Sequence, residues 1–310
     1  MKPTLLFTHP ACLGHDTGPH HPERPERLKA VLAALEGEAF ALLQRRSAPL
    51  ADKAQIARVH PERFVDWLLE QIPEEGWSGI DGDTIVSPGS REAALRAAGA
   101  VCAAVDAVVS GEARNAFCAV RPPGHHAEPQ QSMGFCLFNN IAIGAEQARA
   151  AHGLKRVAVM DFDVHHGNGT QAYFERDPNL FYASTHQWPL YPGTGAASEH
   201  GVANNIVNAP LAAFSGGVEF RRAMSTIVLP ALDAFKPELV MISAGFDAHA
   251  RDPLASLNFA EEDFAWATRE LCRLAERHAQ GRVVSALEGG YDLAALGASA
   301  AAHVDVLLSG

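Results

Sequence analysis

The chain has 310 residues, of which 47% are hydrophobic and 20% charged, and its formal net charge is −11. That composition is globular, with length for one large α/β domain or two smaller ones. It argues against nucleic acid as the main ligand, because no basic stripe exists to neutralise phosphates.

From the start, Met1 to Phe7 is too short for a signal sequence and lacks its cleavage region. No run approaches the ~18 apolar residues of a membrane span, so no membrane role is expected. Cys12, Cys102, Cys118, Cys136 and Cys272 form no CxxC pair, and their odd count and wide spacing fit reduced, core-packed thiols in a cytoplasmic protein. Short apolar runs predict strands at 5–8, 116–120, 157–162, 180–184, 205–207, 239–243 and 283–287. Amphipathic patterns predict helices at 25–35, 61–71, 90–109, 140–152, 217–235, 261–278 and 293–308. No linker, repeat or low-complexity tract interrupts them, so one domain over 1–310 is expected.

Strands alternating with long helices imply an α/β fold, a mostly parallel sheet covered on both faces. Ligands of such sheets bind beyond the carboxyl ends of the strands. The polar clusters fall at those ends: Arg121 to His126, Asp161 to Asn168, Ser184-Thr185-His186, Ser243 to Asp247, and Glu288 to Tyr291. Five polar strand ends on one rim point to a single active site.

In Asp161-Phe162-Asp163-Val164-His165, alternate side chains of an extended chain face one way. Asp163 and His165, joined by Asp247 from another strand end, suit a catalytic Zn²⁺ with an open fourth position, the two carboxylates cancelling its charge. A lone Asp near Gly is ordinarily a turn residue; the shared strand-end location reverses that reading. In His125-His126, one imidazole can move a proton between water and a leaving amine, and the other can stay cationic or hydrogen-bonded. Each needs an acceptor on its far nitrogen, for which Asp161 and, in the following loop, Asn168 are the candidates. Tyr291, after two glycines, can aim a phenol at a developing oxyanion. His9, His60, His152, His200, His278 and His303 read as surface or loop residues. His166 points away from its neighbouring ligand and reads as structural, while His186 and His249 flank the site in either a supporting or a direct role.

Arg-Pro-Pro-Gly-His-His-Ala (121–127), Asp-Phe-Asp-Val-His-His-Gly-Asn-Gly-Thr (161–170), Ser-Ala-Gly-Phe-Asp-Ala-His (243–249) and Glu-Gly-Gly-Tyr (288–291) together resemble the zinc-dependent histone deacetylase superfamily. That group includes histone deacetylase-like and acetylpolyamine amidohydrolases and acetoin-utilisation proteins. The resemblance runs from His21 to Tyr291. It implies the three-layer α/β/α arginase/deacetylase fold, with a central eight-stranded, mainly parallel sheet. It implies a hydrolase that removes acetyl or other small acyl groups from lysine-like amines by metal-activated water attack. Asp163, His165 and Asp247 become the zinc ligands, His126 the general base and acid, His125 its electrostatic partner, and Tyr291 the carbonyl polariser. A structural K⁺ would be held by Asp161, Ser184 and carbonyls of Asp163, His165 and Thr185. Phe135 and Tyr191 become walls of an acyl-lysine tunnel, Gly134 a carbonyl acceptor for substrate, and Arg27 an arginine near an internal acetate pocket.

Asn168 follows the class II pattern of the family, where class I has Asp. A neutral partner leaves His126 less basic. Polyamine deacetylases of the class II type carry a Glu where this chain has Leu254, which lowers the polyamine reading, although a carboxylate of Asp81-Gly82-Asp83 could hold a remote ammonium. The expected partner is an acylated lysine peptide or protein, or an acylated small amine. The donor set also accepts Fe²⁺ or Co²⁺. The rivals are an arginase-type hydrolase, which needs a second carboxylate where Ala248-His249 stands, and a catalytically silent acyl-lysine-binding protein.

Overall fold

The apolar runs assemble into one sheet. A computed structural model describes residues 2–309; Met1 and Gly310, the ends of the expected domain, lie outside the described residues. The strands are β1 (Thr4–Thr8), β2 (Gln44–Ser47), β3 (Ser78–Gly79), β4 (Ile85–Val86), β5 (Asn115–Cys118), β6 (Val157–Asp161), β7 (Leu180–Gln187), β8 (Ile206–Leu211), β9 (Leu239–Ala244) and β10 (Val283–Leu287). Eight form the central sheet in the order β2-β1-β5-β10-β9-β6-β7-β8, and every pairing in it is parallel. β3 and β4 make a separate antiparallel hairpin. The four strands carrying the main motifs, β5, β10, β9 and β6, are adjacent at the centre of the sheet. They are buried along their whole length, as continuous apolar strands under two helical layers must be.

The helices are α1 (Pro25–Ala34), α2 (Lys53–Ile56), α3 (Glu62–Glu70), α4 (Ser90–Val109), α5 (Asn140–His152), α6 (Asn168–Phe174), α7 (Gly217–Ala223), α8 (Leu229–Phe235), α9 (Glu261–His278) and α10 (Leu293–Ser309). With the sheet they form three α/β/α layers, as the resemblance implies. α4 packs on α5, while α10 packs between α1 and α9. The buried apolar residues make one contiguous core. No helix among the described residues is long and apolar enough to cross a membrane.

The differences from the sequence reading have local causes. β2 has no apolar run because it is an exposed edge strand, Gln-Arg-Arg-Ser, where charge discourages further pairing. β7 continues past Ser184, so Thr185 and His186 lie within the strand; they pair with β8, which runs through Pro210 on the other edge. A proline is tolerated there because an edge strand has spare donors. The helix expected at 217–235 is split by a π-helical turn, Met224–Val228, just before Pro230, which has no N–H for the ladder. Asn168 is the first residue of α6 and not a loop residue. His60 and His303 are fully buried, against the surface reading. His303 bridges Thr268 Oγ1 at 2.7 Å and Ser285 Oγ at 2.8 Å, and the His60 ring accepts the N–H of Asn139 at 2.9 Å.

Candidate metal centre and acyl-group cavity

β6 delivers Asp161 as its last residue, and the turn after it carries Asp163 and His165. β9 ends just before the turn that carries Asp247. Ligand atoms of Asp163, His165 and Asp247 all lie within 4.8 Å of one another, and the three residues are buried. His165 Nδ1 sits 3.2 Å from Asp163 Oδ1 and 3.1 Å from Asp247 Oδ2. The backbone pins both carboxylates. Gly289 N–H donates to Asp163 Oδ2 at 2.8 Å, and Val164 N–H donates to Asp247 Oδ1 at 2.8 Å. Glycine is required at two neighbours: a Cβ on Gly245 would run into Asp163, and one on Gly289 into Asp247.

The cluster is short of positive charge. Burial, then repulsion from Asp163, pushes Asp247 up to about 7, while the neighbouring cationic rings hold Asp163 below the usual carboxylate range despite its burial. Burial opposes a charge on His165, yet its bonds to Asp163 and Asp247 push it up to about 10. Two buried carboxylates and one imidazole converging on one point fit a divalent cation, which would neutralise them and leave coordination positions open.

Beside this trio stand His125 and His126. Their ring centroids are 4.0 Å apart. His125 Nδ1 is 2.9 Å from Asp161 Oδ2, and His126 Nδ1 is 2.8 Å from Asn168 Oδ1. Asn168 is oriented in turn by donating to Glu128 Oε1 at 2.8 Å, which fixes its carbonyl toward the ring. Burial would lower both imidazoles. For His125 the carboxylates of Asp163 and Asp161 outweigh that, and it is raised well above the ordinary histidine range. His126, with a neutral partner and the His125 and His165 rings nearby, is held well below it. The surroundings thus favour the charged form of the first ring and the neutral form of the second.

A cavity of about 230 Å³ opens above these groups. His125, His126, His165 and Tyr291 line it together with Gly134, Phe135, Tyr191 and Leu254. The Tyr191 ring stands edge-on to His126 at 5.1 Å, and the Phe135 ring edge-on to Tyr291 at 5.9 Å. Gly134 (φ 56°) and Phe135 (φ 69°) are both left-handed, and a Cβ on Gly134 would strike the His126 ring, so only glycine lets this loop close over the histidine. Burial raises the Tyr291 phenol well above its usual range, so it stays protonated.

Arg27 stands behind Tyr291, off the cavity wall. Its guanidinium lies 4.8 Å from the Tyr291 ring centroid, and its Nε donates to Gly290 O at 2.6 Å. Of the residues read as potassium ligands, Asp161 and Ser184 are cross-strand partners at the ends of β6 and β7, with Thr185 next along. Ser184 Oγ is 2.9 Å from His186 Nδ1, whose other ring nitrogen is 2.9 Å from Gly195 O. His186 and His166 are thus buried, hydrogen-bonded supports; His166 Nδ1 lies 2.8 Å from Thr194 Oγ1. His249 does not line the cavity.

Asp83, from the acidic loop read as a possible holder of a remote ammonium, lines the cavity beside Tyr191. Two further participants have partners that the sequence does not reveal. Tyr182 donates its O–H to Asp161 Oδ2 at 3.1 Å, and only its strand position two before Ser184 hinted at this. Glu288 accepts the backbone N–H groups of Gly124 and His125, at 2.7 Å and 3.2 Å. Its place in Glu-Gly-Gly-Tyr was a signal, but its target was not.

Residues 21–307 match the histone deacetylase domain. The chain is 41% identical to the histone deacetylase-like amidohydrolase of Pseudomonas aeruginosa, over 93% of this chain and 81% of that protein. It is 40% identical to a probable deacetylase of Archaeoglobus fulgidus, over 94% of this chain and 82% of that one. The crystal structure of the HDA15 HD domain superposes with a TM-score of 0.94 at 36% identity, covering 99% of this chain and 88% of the other.

Proposed function

This chain belongs to the histone deacetylase family and is a hydrolytic deacetylase; from that premise we propose that it is a single zinc-dependent catalytic domain that cleaves acetyl or other small acyl groups from lysine-like amines. The observation that carries this reading is the convergence of the Asp163–His165–Asp247 trio, the His126–Asn168 pair and the Tyr291 phenol on one cavity.

Asp163, His165 and Asp247 would hold the divalent cation. When bound, it supplies Lewis-acid polarisation of the acyl carbonyl and of the attacking water. The remaining work falls to the protein. Phe135 and Tyr191 flank the alkyl stem, and the Gly134 carbonyl accepts the N–H of the scissile amide. His126, kept neutral, accepts the water proton at Nε2, the ring nitrogen left free by Asn168, and then donates it to the departing amine nitrogen. Tyr291 donates its O–H to the carbonyl oxygen as negative charge grows there. His125, favoured in its charged form by Asp163 and Asp161, offsets that charge from below. Asp161 and Ser184, with carbonyls of Asp163, His165 and Thr185, would hold a structural K⁺.

Leu254 on the wall favours an apolar stem over a second ammonium at that point, and Asp83 is the carboxylate at hand for a peptide N–H or a distant cation. The test is turnover, with bound metal quantified, of acetyl-, trifluoroacetyl- and longer acyl-lysine peptides beside acetylated polyamines. Hydrolysis of acyl-lysines is expected. Binding of acyl-lysine peptide by metal-replete protein without turnover of any substrate would overturn the reading in favour of a silent binding protein.

A further inference from the structure

We propose that Glu288 is a positioning residue for the reaction, clamping the peptide that carries His125 and His126; this rests on the deacetylase reading above. Past Cys118 the chain leaves β5, and the buried N–H groups of Gly124 and His125 have no strand to donate to. Buried donors of this kind need an acceptor. A single oxygen, Glu288 Oε2, takes both, at 2.7 Å and 3.2 Å. The other oxygen accepts Ser243 Oγ–H at 3.2 Å.

The main chain of the same residue is held equally firmly. Its N–H donates to Ala244 O at 3.0 Å, and its carbonyl accepts from the Arg27 guanidinium. Glu288 therefore ties the ends of β9 and β10 to the loop that carries the histidine pair. Asp161 fixes the His125 ring from one end and Glu288 fixes its backbone from the other. Because His126 follows immediately, a shift of this peptide moves the proton-transfer nitrogen relative to the cavity.

The clamp works through geometry. Both N–H bonds need an acceptor at one place, which a neutral amide oxygen also provides, and burial already pushes Glu288 up to about 7. Glu288→Gln keeps the reach: its amide oxygen can accept both N–H groups and its NH₂ can donate to Ser243. Glu288→Asp keeps the charge and loses the reach.

The experiment compares both variants with wild type, each with metal content and melting temperature checked. The readouts are kcat and KM on an acetyl-lysine peptide and the NMR signal of the His125 Nδ1–H. If Glu288 positions the pair, the Gln variant stays within about fivefold of wild-type kcat while the Asp variant loses about 100-fold, the scale of a small displacement, with KM little changed in both. The His125 ring-proton signal stays in place in the Gln variant and moves in the Asp variant. Near-wild-type behaviour of the Asp variant, or an equal loss in the Gln variant, overturns the proposal. Should the Asp variant not fold, the Gln variant decides alone, because a large loss there means that charge and not position matters. If the wild type turns over no substrate, the functional reading has failed, and the ring-proton comparison still decides the role of Glu288.

Discussion

His125 and His126 are consecutive residues whose ring centroids lie 4.0 Å apart, yet one leans on a carboxylate and the other on an amide. That difference in partner adds to the pull of Asp163 on the first ring and to the burial of the second in setting their charges apart. Asp161 stabilises a cation on the first, while Asn168 can only orient the second and leaves it free to accept a proton.

Asn168→Asp tests this separation. A general base works only when neutral, so activity falls as pH drops through its pKa. A carboxylate in place of the Asn168 amide raises the His126 pKa, and the acid limb of kcat/KM moves to higher pH than in wild type. The two pH–rate profiles are the measurement. Coincident or reversed acid limbs would count against His126 as the base.

Tyr291→Phe removes one O–H and little else, because the ring keeps its contacts with Phe135 and Arg27. The expected result is a fall in kcat on the order of 10²–10³, as for loss of one oxyanion donor, with metal content unchanged. Wild-type turnover in this variant would remove Tyr291 from the chemistry.

Metal should stabilise the fold, since it relieves two carboxylates crowded against one ring. Saturating zinc at 100 times its dissociation constant adds about 2.7 kcal/mol, visible as a rise in Tm that a chelator reverses. Asp247→Ala should abolish the rise. Gly245→Ala, whose Cβ would displace the Asp163 carboxylate, should weaken metal affinity by about 10–100-fold. Both are read by metal titration of Tm.

His303 gives the protein an acid-sensitive core. Burial lowers it from 6.5 to about 3. Below pH 6.5 the unfolded chain takes up a proton that the folded chain refuses, so stability is lost as pH falls from 6.5 toward 3. By pH 4 this one group would cost roughly 3 kcal/mol. His303→Asn should melt lower at pH 7 but lose less Tm between pH 7 and pH 4 than wild type does. An identical slope would mean that His303 is not the titrating group.

Much of the site was legible in the chain because its donors sit at fixed spacings on strand ends. Asp163 and His165 share one turn, and the parallel order of an α/β sheet carries Asp247 and Tyr291 to the same rim. The misreadings came where a residue's surroundings are supplied by distant segments. His303 looks like a surface residue on an Ala-rich helix, and only the packing of α10 on α9 and β10 provides Thr268 and Ser285 for its two nitrogens. β2 carries no apolar signal because an edge strand buries little of itself.

By itself, then, the sequence points to the alternating α/β architecture and to the groups with the chemistry to bind metal, move protons and polarise a carbonyl. These follow from side-chain chemistry and from periodicity along one segment. The tertiary structure alone decided that Arg27 stands behind Tyr291, that Tyr182 donates to Asp161, and that Glu288 reaches across to the Gly124 and His125 N–H groups. The reason is physical: a buried donor takes whichever acceptor the packed sheet brings within about 3 Å, and strand order, which local sequence does not encode, sets that choice.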